Sequence, residues 1–448
     1  VRPHVTSGIG SGTKSVRVRD TRGVSETLNS TPTAPESQPL VELEVGPVAH
    51  GGHCVARLDG RVVFVRHALP GERVLARLTE EGDTAKFWRA DAIEILEPSP
   101  DRVPAAWPAA GAGGAGGGEL SHVSLPAQRR WKAAVLQEQL KRLAGLDLQV
   151  EVEGAPGDDE RGGLGYRTRI DLVADDKGRA GMRVFRSHDV VPLDEMPLAT
   201  PEVAALAEAE EVFTRRWRPG TRLELVAPAG GTDPILLVDG VVWHSGHIDR
   251  RPHARRAVTE TVTVAGTEHT FRVAADGFWQ VHREAPALLA EAVLAAAGPL
   301  EEATVVDLYS GAGLFTLPLA DAVGETGRVV AIEGDERAVK DARRNAFEKP
   351  QVELHHGPVE KVLAAKDHAA PTADVVVLDP PRTGAGRKVV DAVAALQAPR
   401  VVYVACDPAA LARDIAYFAK HGYTVESVTG YDLFPHTHHV EAIAVLTR

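Results

Sequence analysis

Cys406 and Glu441 are the two residues whose types and settings suit covalent chemistry. Cys406 lies in Tyr403-Val404-Ala405-Cys406-Asp407-Pro408, at the end of an apolar run. Asp407 suits a helix N-cap and Pro408 a first helical position. The thiol is therefore expected at a strand end facing a helix amino terminus, which favours the thiolate, while the charge of Asp407 works the other way. A lone cysteine is more often structural than reactive, and placement on a cofactor rim is what reverses that reading. Glu441 follows Phe434-Pro435-His436-Thr437-His438-His439-Val440 and opens the final apolar strand, where a carboxylate is unwelcome without a partner or a task. No carboxylate or cysteine spacing supports a metal at the three histidines, and none is expected there.

Two further motifs end apolar runs. In Asp307-Leu308-Tyr309-Ser310-Gly311-Ala312-Gly313-Leu314-Phe315 the glycines let the backbone approach a ligand at the carboxyl end of a sheet. The position three after Gly313 is Thr316, which favours an adenosyl cofactor over a dinucleotide. Glu333, at the end of the next strand, has the spacing of a carboxylate that binds both ribose hydroxyls. In Leu378-Asp379-Pro380-Pro381-Arg382-Thr383-Gly384 the prolines fix one extended course. That holds Asp379 where it can reach cofactor or base, and Arg382 offers a fork for phosphate. The plain alternatives are a tight turn and a proline-rich turn; their coincidence with strand ends favours function.

A loop suited to S-adenosylmethionine, a thiol and a carboxylate on one sheet edge point to a specific reaction. Carbon 5 of uracil is too weak a nucleophile to take a methyl group unaided. A thiolate adding to carbon 6 creates an enolate that makes carbon 5 reactive, and a base must then remove the carbon 5 proton so that sulfur can leave. Cys406 is the expected nucleophile and Glu441 the expected base.

Positioning these groups requires an open α/β sheet, and residues 256–448 supply one. TVVDLYSG, RVVAIEGD, VELHHG, ADVVVLDPP, RVVYVACD and VEAIAVLTR read as strands, with helices such as ERAVKDARRNAFE and PAALARDIAYFAKHG between them. Residues 1–38, rich in Ser, Thr, Gly and Pro, read as a disordered leader. Residues 39–100 alternate in short β-branched runs, as a small β-barrel does. Residues 101–255 form a central α+β segment, opened by a Gly/Ala loop and a helix from Gln128 to about Leu143 with Trp131, Val135, Leu136 and Leu140 on one face.

The formal charge of −12 argues, taken alone, against a nucleic-acid partner. Distribution matters more. Arginines cluster at Arg167 and Arg169, Arg183 and Arg186, Arg215, Arg216 and Arg218, and Arg250, Arg251, Arg255 and Arg256. With Arg66, Arg73, Lys86 and Arg89 in the barrel they are the available phosphate contacts, and RNA affinity is expected to be separable from methyl chemistry along the chain. Two cysteines allow neither a disulfide framework nor a thiolate metal cluster within one chain. No apolar run reaches the roughly 20 residues of a membrane span and no secretory signal opens the sequence, so a cytoplasmic monomer is expected.

Five blocks, in order, resemble the RNA uracil-5-methyltransferase family: Gly277-Phe278-Trp279-Gln280-Val281-His282 (the family's FxQxN segment), DLYSGAGLFTLPLA, DPPRTG, YVACDPAALARD and FPHTHHVEAIAVL. The resemblance implies a Rossmann-like methyltransferase sheet, S-adenosylmethionine contacts from Gln280, Tyr309, Glu333 and Asp379, nucleophile Cys406 and base Glu441. It also implies an RNA partner, with ribosomal favoured over transfer RNA, and an OB-like TRAM domain at the front. Many members hold an iron–sulfur cluster through a CPxxxxxCGGC pattern and a later cysteine. Here those positions are Trp107, Ala115, Gly118 and Met196, and no cluster is expected. His282 replaces the Asn of FxQxN, and Leu314 replaces a polar residue of the glycine loop. Two rivals stay open. One is an amino-group methyltransferase, whose Asp-Pro-Pro block ends in an aromatic residue where this chain has Arg382. The other is a non-catalytic RNA-binding protein on the same scaffold, against which Cys406 and Glu441 speak.

Overall fold

Runs such as Val375–Leu378 and Arg400–Ala405 are dominated by valine, whose branched Cβ disfavours helix and packs well on a pleated surface. In the computed structural model, which describes residues 40–82, 85–230, 232–251, 253–365 and 372–448, these runs form an eight-stranded sheet. Its order is Val352–His356, Arg328–Glu333, Thr304–Leu308, Val375–Leu378, Arg400–Ala405, Glu441–Thr447, Thr424–Asp432 and Val152–Gly154. The first five are parallel, and Glu441–Thr447 runs against Arg400–Ala405. Alternate residues bury on opposite faces. Val305, Val377 and Val402 join the helices Ala285–Ala297 and Thr316–Val323, whereas Val306, Val376 and Tyr403 join Gly386–Ala395 and Pro408–Ala419. The expected α/β fold is present, with helices on both faces. From Thr304–Leu308 the chain first adds Arg328–Glu333 on one side and later Val375–Leu378 on the other, so the crevice at these carboxyl ends is the switch point where open α/β sheets bind ligands.

Three features differ from the sequence reading. Ala257–Val264 and Thr267–Ala274 pair only with each other, contributing Phe271 and Val273 to the core without joining the eight-stranded sheet. Thr424–Asp432, too polar over its first half to read as a strand, lies beside Glu441–Thr447. Val152–Gly154, from the central segment, pairs parallel to it and closes that edge.

Leu40–Glu97 form a separate six-stranded sheet around Leu43, Cys54, Val63, Val65, Val74 and Ala76. The central segment contributes a seven-stranded antiparallel sheet over Tyr166, Leu172, Trp217 and Leu223. Between the front and C-terminal sheets runs the helix Leu125–Gln139, extended by a wider turn, Leu140–Ala144, that ends on Gly145 at φ 70°. Its apolar residues are divided between two cores. Trp131 and Val135 bury in the front sheet's core, and Leu136 and Leu140 bury in the C-terminal one. The helix is thus shared between the cores of the front and C-terminal sheets. The expected leader, 1–38, lies outside the described residues.

Candidate functional site

The glycine loop turns sharply at the end of Thr304–Leu308. Tyr309 and Gly311 both have left-handed backbones, at φ 62° and 56°. A Cβ on Gly311 would meet nothing within 4 Å, which leaves the backbone there open to a ligand. The Gly311 N–H donates to Glu333 Oε2 at 2.9 Å and the Asp335 N–H to Oε1 at 2.6 Å. Each carboxylate oxygen thereby keeps a lone pair for a ligand hydroxyl. Below the loop Asp307 is fully buried. Thr316 Oγ1 donates to its Oδ2 at 2.5 Å, and burial pushes its carboxyl up to about 7.

Gln280, Tyr309, Glu333, Asp379, Cys406 and Glu441 line a single cavity of about 1090 Å³ at the switch point, so the structure brings all six sequence-selected residues together. That volume lies at the upper end of the roughly 300–1,000 Å³ of small-ligand pockets. It leaves room for an adenosyl cofactor and a nucleobase. Trp107, Met182 and Met196 form an apolar wall of the same cavity.

The electrostatics around the thiol correct one expectation. Asp407 does cap Pro408–Ala419, accepting from the Ala410 N–H at 2.8 Å, and it also meets His50 Nε2 at 3.3 Å. Yet burial, followed by the charges of Glu441 and Asp379, pushes the Cys406 thiol up to about 12, against the pull of Arg382. The helix terminus does not overcome burial and the two nearby carboxyls, and the thiol form is favoured. Burial first and then Asp379 raise the Glu441 carboxyl well above its ordinary range, again opposed by Arg382. Burial and Asp307 likewise raise Asp379. Alkylation of Cys406 by iodoacetamide in the ligand-free protein is therefore expected to be slow at about pH 8 and to rise nearly tenfold per pH unit above it, because only the thiolate reacts. A rate levelling off near neutrality would show that the thiolate already dominates.

The loop Phe434–Val440, which leads into Glu441, is held from the front half of the chain. Gln128 Oε1 accepts from the His436 N–H at 2.6 Å, the Tyr166 hydroxyl donates to Pro435 O at 3.1 Å, and Lys132 Nζ donates to Phe434 O at 3.0 Å. Lys132 also pairs with Asp432, both fully buried. The Glu119 carboxylate meets the ring of His438 and accepts from its backbone N–H at 3.0 Å. None of these contacts was legible from spacing, because the partners lie some 300 residues apart.

His282, in the Asn position of the FxQxN block, does not face the cavity. It is 1% exposed, stacks on Tyr166 and accepts from the Glu284 N–H on Nδ1, which leaves Nε2 to donate to Asp158 Oδ2 at 3.0 Å. Leu314 does line the cavity, as an apolar group. The four positions that would ligate a cluster do not fit one. Trp107, Ala115 and Met196 are buried among apolar side chains, and a Cβ on Gly118 would stand 2.5 Å from the Trp107 ring. With no thiolate among them, the purified protein is expected to contain no iron or sulfide and no cluster absorption, prepared with or without air. Stoichiometric iron would refute this.

Sequence reasoning passed over two cavity residues. Phe278 is 77% exposed at the cavity, and His439 was read only as part of a histidine run. Arg382, singled out for phosphate, makes no hydrogen bond or ion pair among the described residues and is exposed at the cavity rim.

Known proteins place this architecture. Residues 363–448 match the model of the tRNA (uracil-5-)-methyltransferase family, and residues 40–92 match the TRAM domain. An uncharacterized RNA methyltransferase of Bifidobacterium longum is 42% identical, covering 94% of this chain and all of its own length. The 23S rRNA (uracil(1939)-C(5))-methyltransferase of Vibrio parahaemolyticus is 29% identical over 91% of this chain and 95% of its own. The crystal structure of Pyrococcus abyssi tRNA (uracil-54, C5)-methyltransferase, in complex with S-adenosyl-L-homocysteine, superposes with a TM-score of 0.66 over 91% of this chain and all of its own, at 22% identity, which is a likeness of fold. With its glycine loop, its cavity and a relative matched from end to end, the chain belongs to the RNA uracil-5-methyltransferase family and carries a TRAM domain.

Proposed function

We propose that this chain, acting as a cytoplasmic monomer, methylates carbon 5 of a uridine in RNA through a covalent adduct between Cys406 and carbon 6. The observation that carries the reading is the convergence of Cys406, Glu441 and Asp379 with the open glycine loop in one cavity built by one chain. Glu333, Tyr309, Gln280 and Asp379 would hold S-adenosylmethionine, with Glu333 taking the ribose hydroxyls on the lone pairs its backbone donors leave free. The bound cofactor supplies an electrophilic methyl group. Cys406 adds to carbon 6 as the thiolate; its proton departs to water and is recovered when sulfur leaves. Glu441 takes the carbon 5 proton after methyl transfer. Burial and then Asp379 raise its carboxyl, which makes the ionised form a stronger base for that proton.

RNA binding rests on fewer barrel cations than the sequence offered. Arg66 is 9% exposed and stacks on Phe185. Arg73 is paired with Glu42 and Glu97, and Arg89 with Glu80. In the central segment Arg169 is paired with Glu260 and Arg251 with Asp249. Lys86, Arg250, Arg216 and Arg382 keep no acidic partner among the described residues and are the better phosphate contacts. Ribosomal RNA is the favoured substrate, supported by the 29% identity to a protein named for 23S rRNA. The test is nucleoside mass spectrometry after incubating the protein and S-adenosylmethionine with separate ribosomal and transfer RNA fractions that lack the modification. We expect 5-methyluridine in ribosomal RNA. Methyl groups on base nitrogen would overturn the reaction assigned, and 5-methyluridine confined to transfer RNA would overturn the substrate.

A further inference from the structure

Covalent attack on carbon 6 moves the carbon 5–carbon 6 π pair toward the carbonyl at carbon 4, so negative charge gathers on O4 before carbon 5 can accept a methyl group. A site that uses this route needs a hydrogen-bond donor for that oxygen. The roles proposed for Cys406 and Glu441 do not provide one.

His439 has the properties required. It lies two residues before Glu441 and lines the same cavity. Its ring is fixed from two sides, tilted on His438 with centroids 4.2 Å apart and edge-on to Phe434 at 5.9 Å. Its backbone N–H donates to Thr437 Oγ1 at 3.2 Å. Neither ring nitrogen hydrogen-bonds any described residue, although the neighbouring rings are committed, His438 to Glu119 and His436 to Gln128 and Gly162. The His439 ring is held by packing, lines the cavity and keeps both nitrogens without a protein partner among the described residues, so they are available to a ligand there.

Its protonation state strengthens the case. Burial, then the charges of His438 and Arg382, hold the His439 ring down at about 3, so the ring is neutral at any physiological pH. A neutral imidazole N–H can steady an enolate oxygen without surrendering a proton that would quench the carbanion, whereas an imidazolium could protonate carbon 5 and abort methylation. Other polar groups near the loop are less available. Thr437 Oγ1 already donates to Phe434 O at 2.8 Å, and Arg382 stands exposed at the rim.

We propose that His439 is a further catalytic residue, donating a ring N–H to O4 of the target uracil as the Cys406–carbon 6 bond forms. This rests on the covalent reading above. In the step the Cys406 sulfur lone pair forms the new bond, the π pair becomes the enolate held by His439, and no proton is transferred to or from the ring.

The test measures the rate of denaturation-resistant adduct formation with 5-fluorouridine RNA in the presence of S-adenosylmethionine. His439→Leu, which keeps bulk without a donor, is expected to slow adduct formation on the order of 10²-fold, the loss typical of one oxyanion donor. His439→Gln, which restores an N–H, is expected to recover most of it, with cofactor and RNA affinity unchanged in both. Replacing O4 of the target by sulfur, a poor acceptor, should bring wild type and His439→Leu close together, a convergence that a merely structural role would not produce. Adduct formation at the wild-type rate in His439→Leu, or a loss in His439→Gln as large as in His439→Leu, would overturn the role. If His439→Leu fails to bind cofactor, the His439→Gln rate and the effect of sulfur on wild type decide. Wild type that forms no adduct would sink the covalent reading itself, a result distinct from equal rates in wild type and variant.

Discussion

Cys406→Ala is expected to lose turnover by on the order of 10⁴-fold or more, as removal of an obligatory nucleophile does elsewhere, while S-adenosylmethionine still binds. The loss is large because no second group can stand in. The other cysteine, Cys54, is 0% exposed in the core of the front sheet, with its Sγ on Ala68 O at 3.5 Å and its thiol raised beyond its usual range by burial. Wild type incubated with cofactor and 5-fluorouridine RNA should give a protein–RNA band that survives denaturation, since fluorine cannot leave carbon 5 as a proton and elimination of sulfur is blocked. The band should be absent from Cys406→Ala. Isothermal calorimetry with S-adenosylmethionine serves as the control, because the residues placed to hold it, Glu333 and Gln280 among them, are untouched. Methylation persisting in Cys406→Ala would end the covalent mechanism, whatever the family relationship.

The candidate site was readable because its groups sit at the termini of apolar runs. A strand followed at once by Asp379-Pro380-Pro381, or by Cys406-Asp407-Pro408, leaves the next residue little choice but the carboxyl edge of the sheet, and burial on both faces makes such runs easy to see. Edge elements were harder. Thr424–Asp432 contains Glu426, Ser427 and Gly430 and carries a register shift between Val425 and Ser427, so neither alternation nor a continuous apolar run marks it. The helix Leu125–Gln139 shows the limit of periodicity. Trp131, Val135, Leu136 and Leu140 predict an apolar surface but do not say that two cores share it.

Charge was the least legible property. Arg66, Arg73 and Arg89 look like phosphate contacts by type, yet each is engaged within the protein. A helix amino terminus beside Cys406 predicted a thiolate, and burial, followed by the carboxyls of Glu441 and Asp379, reverses it. Contacts such as His50 with Asp407, or Glu119 with His438, join the front of the chain to the residue after Cys406 and to the loop before Glu441. The TRAM domain, through His50, and the central segment, through Glu119, thus both touch the surroundings of the candidate site, which spacing along the sequence could not reveal.

Glu441→Gln separates the two halves of the reaction. The amide is nearly isosteric with the carboxyl but cannot accept the carbon 5 proton, so methylated RNA should stay bound through the Cys406–carbon 6 bond, with release slowed on the order of 10²–10⁴-fold, the range for a general base. Adduct formation itself should not slow. The charge of Glu441 is one of the influences that hold the Cys406 thiol up, and removing it lowers the thiol pKa and favours the attacking form. The variant should therefore accumulate adduct on ordinary uridine RNA, with no fluorine needed, while wild type does not. The pH dependence gives an independent check. In wild type the elimination step requires ionised Glu441, whose carboxyl is raised, so the rate should climb with pH through a midpoint above the usual carboxylate range before levelling off. That limb should vanish in Glu441→Gln. A variant that binds RNA normally and forms no adduct would assign Glu441 to holding the base in place, and proton removal would then fall to another group of the cavity.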